Sequence, residues 1–118
     1  MGLFDKLLGD KNQKNTEKEP EHAVIIRFNY GMQGLEPLHQ LETNLEKVIT
    51  TNNLGEYDGH EIAADYSDGF LYMYGPNAET LFKGIKSTLE GFDFMKGAVA
   101  NLRFGRPEDG IKEIEVSL

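Results

Sequence analysis

The chain predicts an α+β fold in which two helices cover one face of a single antiparallel sheet. Three observations carry this expectation. Residues 36–51 and 77–90 place apolar side chains at helical spacing. Segments rich in β-branched and aromatic residues surround them, bounded by glycine and aspartate. Their order is β-α-β-β-α-β plus one C-terminal strand, which interleaves helices with hairpins and sends both helices to one side of the sheet.

At the N-terminus, Leu3, Phe4, Leu7 and Leu8 recur at helical spacing before Gly9. Residues 1–9 form a short amphipathic segment that is too short to persist as an isolated helix in water. It must dock on the domain, a second copy, a partner or a lipid surface. Docking on the domain is favoured over membrane contact. Gly2 suits myristoylation, but Lys6 stands where that motif wants Ser or Thr. Residues 10–22 contain no aliphatic side chain and read as a flexible linker.

The domain spans residues 23–118. "AVIIRFNY" (23–30) reads as a strand with Val24, Ile26, Phe28 and Tyr30 inward, leaving Ile25, Arg27 and Asn29 on the opposite face. "EPLHQLETNLEKVITT" puts Leu38, Leu41, Leu45, Val48 and Ile49 on one stripe, with Pro37 near the first helical position. "YDGHEIAADY" and "FLYMYG" flank "SDG", predicting a hairpin with Asp68-Gly69 as its two-residue turn. That register pairs Ala63 with Tyr74 and sets Ile62, Ala64, Tyr66, Leu71 and Met73 toward the helices. Asn77 offers an N-cap for a helix burying Ala78, Leu81, Phe82, Ile85 and Leu89, which Gly91 closes. "GAVANLRF" (97–104) and "IKEIEVSL" (111–118) make the last two strands. The second alternates Ile114, Val116 and Leu118 against Glu113, Glu115 and Ser117.

This order resembles the ferredoxin-like fold over residues 23–118, with the final strand added at an edge. The chain is also similar to small bacterial domains with "YDG" and "YMYGP" stretches, a resemblance that implies no activity.

Charge and composition narrow the function. Residues 1–20 carry four basic and four acidic side chains, so the whole net charge of −8 belongs to residues 21–118. Such a field repels phosphate backbones and favours basic partners. "DGFLYMYG" resembles the base-stacking strand of RNA-recognition motifs at Gly69, Phe70 and Tyr72. Asp68 replaces the leading basic residue of that pattern, however, and Gly75 its closing aromatic. Nucleic acid is therefore not expected as a partner. The chain has no cysteine, which removes disulfides, thiolate zinc sites and cysteine nucleophiles. No apolar run reaches the roughly 18 residues of a membrane span, and no basic-plus-apolar leader opens the chain, so the cytoplasm is the expected location.

No cofactor, metal or catalytic site is expected. Asp58 and His60 share one side of their strand while Glu61 takes the other, and two ligands fall short of a zinc site. Gly59 between them reads as a bulge. No serine-nucleophile elbow, phosphate loop or dinucleotide fingerprint is present. The expected function is a non-catalytic protein-interaction module, self-associating or binding and inhibiting a mainly basic protein. It would use the helix-free sheet face through Arg27, Glu61, Asp65, Phe70, Tyr72, Tyr74 and Arg103, with Leu3, Phe4, Leu7 and Leu8 as an N-terminal docking segment. Aromatic side chains with arginine, rimmed by carboxylates, have interface composition. The alternative is a small-molecule sensor binding near the Gly31–Gly34 turn, where two glycines precede a helix start, although Glu36 there would oppose an anion.

Overall fold

The computed structural model describes residues 22–108 and 110–118. The elements follow the predicted order: β1 (His22–Asn29), α1 (Glu36–Thr51), β2 (Glu56–Ile62), β3 (Asp68–Gly75), α2 (Ala78–Glu90), β4 (Val99–Arg103) and β5 (Glu113–Ser117). The five strands form one sheet in the order β2-β3-β1-β4-β5, every neighbouring pair antiparallel. This is the ferredoxin-like arrangement with β5 added beside β4. The N-terminal segment with Leu3, Phe4, Leu7 and Leu8, and the linker as far as residue 21, lie outside the described residues. His22, assigned by sequence to the linker, opens β1. Its Nδ1 accepts the Ala78 amide at 3.0 Å, and its ring meets Phe104 edge-on.

The core lies between the sheet and the two helices. Val24, Ile26 and Phe28 of β1, Leu71 and Met73 of β3, and Ala100 and Leu102 of β4 point into it. Leu38, Leu41, Leu45 and Ile49 of α1 and Leu81, Ile85 and Leu89 of α2 close it from above. The Asn77 side chain accepts the Thr80 amide at 3.0 Å and so caps α2 as its sequence position implies. A short 3-10 turn, Asp93–Met95, was not legible in the sequence. It lowers Phe94 onto Phe28 and Tyr30, with ring centroids 5.9 Å and 5.1 Å apart.

The β2–β3 hairpin departs from expectation. Its connection is residues 63–67, not Asp68-Gly69, and Ile62 rather than Ser67 or Ala63 begins the pairing, opposite Gly69. Two features of the loop make it the better closure. Asp65 accepts the Ser67 amide at 3.0 Å, and Tyr66 takes the left-handed conformation at φ 64°. The loop is further tied to the end of β1, where the Tyr30 and Gly31 amides donate to the Ser67 and Tyr66 carbonyls at 2.9 Å and 2.7 Å. Gly69 does not have positive φ. It is needed because a Cβ there would lie 2.4 Å from the Glu61 carbonyl oxygen and 2.6 Å from the Ile62 side chain. The expected register pairs Ala63 with Tyr74, whereas the observed one pairs Glu61 with Phe70. The slip is an even number of residues, so Glu61, Phe70, Tyr72 and Tyr74 keep their predicted face.

Candidate functional site

The helix-free face is built from three cross-strand rows running from β2 to β5. The first is Glu61, Phe70, Arg27, Val99 and Ser117, and the second is Gly59, Tyr72, Ile25, Asn101 and Glu115. The third is Glu56, Tyr74, Ala23, Arg103 and Glu113. Sheet alternation therefore gathers six of the seven predicted residues onto one surface: Arg27, Glu61, Phe70, Tyr72, Tyr74 and Arg103. Asp65 is the exception. It sits in the 63–67 loop, where its carboxylate accepts the Ser67 amide, and the Ser67 side chain first and that amide second hold its pKa below the usual carboxylate value.

Within this face the aromatic residues order one another. The Phe70 and Tyr72 rings stack at 6.2 Å with 24° between planes, as same-face neighbours two residues apart on a strand can. The Tyr72 hydroxyl donates to Glu61 at 2.6 Å. That hydrogen bond, aided by desolvation and the negative charge of Glu61, pushes the Tyr72 pKa up to about 12. Arg103 donates from Nε to the Gly105 carbonyl at 2.6 Å, and in the row order it stands between Ala23 and Glu113. Acids thus line both margins of the face, Glu56 and Glu61 on β2 and Glu113 and Glu115 on β5. Both arginines lie on interior strands, Arg27 on β1 and Arg103 on β4.

A second constellation lies on the helix side, and the sequence reading saw only half of it. The β2–β3 register shifts between Tyr57 and Gly59, confirming the bulge expected at Gly59, whose φ is 128°. The extra residue turns Tyr57 to the same side as His60, and both meet Glu42 of α1. Tyr57 donates its hydroxyl to Glu42 Oε2 at 2.5 Å, and His60 Nδ1 lies 2.8 Å from the same oxygen. The His39 ring packs beside His60 at 6.3 Å. Burial first, then the Glu42 hydrogen bond and the Glu42 and Glu46 charges, push the Tyr57 phenol above its ordinary range. A cleft of about 350 Å³ opens here, lined by His39, Glu42, Thr43, Glu46, Tyr57, Asp58 and Gly59. Among the described residues no group of three or more His, Cys, Asp or Glu side chains is placed to hold a metal ion. Glu42 could be paired with β2 only through tertiary contact, since 15 to 18 residues separate it from its partners.

The Gly31–Gly34 turn is closed on itself. Tyr30 donates its hydroxyl to the Gly34 carbonyl, and that hydroxyl oxygen accepts the Leu38 amide at 3.3 Å. Comparison with protein-family models, curated proteins and solved structures finds no match to this chain. No helix among the described residues is long and apolar enough to cross a membrane.

Proposed function

We propose that the chain is a non-catalytic, cytoplasmic protein-interaction module of bacterial type, acting through its helix-free sheet face. The observation that carries this reading is the convergence of Phe70, Tyr72, Tyr74, Arg27 and Arg103 on one face that no helix among the described residues covers. Aromatic and arginine side chains are the usual anchors of protein interfaces, and a rigid sheet presents them with little ordering cost on binding. The partner is a mainly basic protein rather than a second copy. Two copies packed face to face about a two-fold axis along or across the strands would set acidic margin against acidic margin, each body carrying the full −8 charge. The Gly31–Gly34 sensor reading has less support, because the Tyr30 hydroxyl occupies the Gly34 carbonyl and the Leu38 amide beside that turn, and Glu36 at the helix start would oppose an anion.

The test uses the intact chain and Tyr72→Ala as immobilised baits in a bacterial lysate, with sedimentation velocity of both proteins alone. A basic protein held by the parent and lost by Tyr72→Ala supports the reading. Tyr72-dependent dimerisation without such a partner replaces the basic protein by a second copy. Capture and sedimentation that are both indifferent to Tyr72 would remove the open face from consideration.

A further inference from the structure

The β5 edge of the sheet offers a second and different surface. Among the described residues β5 pairs with β4 alone, in an unbroken register from Val99 opposite Ser117 to Arg103 opposite Glu113. The hydrogen bonds flanking that register reveal which backbone groups remain free. Phe104 donates to the Lys112 carbonyl at 3.0 Å, and Leu118 donates to the Ala98 carbonyl at 2.8 Å. Antiparallel pairs alternate between bonded and non-bonded positions, so Ile114 and Val116 share the parity of Lys112 and Leu118 and bond inward to β4. Glu113, Glu115 and Ser117 therefore direct their amides and carbonyls outward, in a row ready to receive another strand.

The side chains along this edge specify what kind of strand fits. Glu113 and Glu115 stand on the helix-free face, while Ile114 and Val116 stand on the helix side. Ile114 is the exposed large hydrophobic residue of the described chain, at 40%. A strand added here would set its own alternate side chains beside the two glutamates and the intervening ones beside Ile114 and Val116. A second copy of β5 is the poorer match. The antiparallel registers that use Glu113 place glutamate against glutamate, as Glu113 on Glu113, Glu113 on Glu115 or Glu115 on Glu115, and those that set Glu115 or Ser117 on Ser117 leave Glu113 unpaired. At the opposite margin, the bulge between Tyr57 and Gly59 interrupts β2 and spoils it as a template.

We propose that β5 is a β-augmentation edge for an extended segment of a partner protein in which Lys or Arg alternates with apolar residues. The backbone row supplies attraction of any strand, and the glutamates favour a basic one over a second copy. The edge shares Glu113, Glu115 and Ser117 with the margin of the helix-free face but includes none of the Phe70–Tyr72–Tyr74 cluster, so the two readings are tested by different variants.

The probe is the capped peptide Thr-Lys-Val-Lys-Val-Lys-Thr, titrated into the isotopically labelled full chain and followed by amide NMR shifts. The expected shifts centre on Glu113, Glu115 and Ser117, whose amides also become slower to exchange. A scrambled peptide of the same composition and the Glu-for-Lys peptide should each bind at least tenfold more weakly. Ser117→Pro removes one outward amide without touching the inward ladder, and should weaken binding tenfold or more. Glu113→Gln with Glu115→Gln keeps the backbone row and should abolish the preference for the Lys peptide over the Glu peptide. Tyr72→Ala should leave the edge titration unchanged. Equal binding of the scrambled peptide, or no shift at the edge, would overturn the proposal. Shifts confined to the rows around Tyr72 would overturn it too, while leaving the open-face reading intact.

Discussion

Tyr72 and Met73 are chain neighbours on β3 with opposite surroundings, and the contrast gives the sharpest single-residue test. Met73 is fully buried beneath the helices, whereas Tyr72 stacks on Phe70 on the helix-free side. Met73→Ala should leave a cavity and cost about 2–5 kcal/mol in thermal or denaturant unfolding. Tyr72→Ala should keep the fold and lose about 2 kcal/mol or more of partner binding, the typical effect of truncating an anchor. The reverse pattern would mean that the aromatics belong to a core. Tyr72 also yields a pH prediction. Its raised pKa, caused first by the Glu61 hydrogen bond, means the native state holds the phenol proton more tightly than the unfolded chain. Its contribution to stability is therefore complete below the unfolded value of 10.0 and is lost as pH rises through about 12. Phenolate absorbance at alkaline pH should show Tyr72 ionising late along with the partly buried Tyr57, and Glu61→Gln should return the Tyr72 transition alone toward 10.0. Gly69→Val remains a destabilising substitution, but by collision with the Glu61 carbonyl rather than by backbone strain. Overpacking of this kind costs about 1–3 kcal/mol, read as a lower denaturant midpoint.

At the scale of elements, α1 and β2 are joined by more than apolar contact. Glu42 accepts from Tyr57 and meets His60, so one helical carboxylate holds two positions of a margin strand. Tyr57→Phe removes the phenolic donor to a charged acceptor and should destabilise the protein by about 1.5–3 kcal/mol, measured by urea unfolding. A null effect there would mean that Glu42 is satisfied by solvent. The hairpin illustrates how an element can be read correctly for the wrong turn. Asp68-Gly69 has strong hairpin composition, yet the turn it suggested would leave the Asx contact of Asp65 and the Tyr30 and Gly31 bonds unmade. The longer loop wins because the Tyr30 and Gly31 bonds come from the end of β1, more than thirty residues away in sequence, and add to the local Asp65 contact. The faces survived because register errors of even size conserve side-chain orientation. Asp65 was lost from the predicted surface for the same reason that the loop formed: its carboxylate is a turn acceptor.

For the whole molecule, the core cluster of the described residues runs from Val24 to Leu102, and residues 10–22 carry no aliphatic or aromatic side chain to add to it. Removing residues 1–20 should therefore change global stability by no more than about 1 kcal/mol, with unfolding still cooperative. Loss of cooperativity on truncation would assign Leu3, Phe4, Leu7 and Leu8 to the core, and unchanged stability with lost association would assign them to an anchor. The charge pattern also acts at this scale. With −8 on the body and acids at both sheet margins, association with a basic partner should weaken as salt is raised.

Periodicity alone determined the element order, the inward residues of β1 and both helices, the Asn77 cap and the side of the sheet left bare. Each of these follows from spacing within one segment, where burial must match a period of 3.6 or 2. Tertiary structure decided the rest. It set the hairpin loop through bonds from β1, turned Tyr57 inward by a bulge, and brought Glu42 to His60. It also selected which carbonyls and amides of β5 face outward, a choice that depends on the partner strand and not on the strand's own residues. Contacts between segments distant in sequence carry no local signature, so no reading of spacing within one segment could have supplied them.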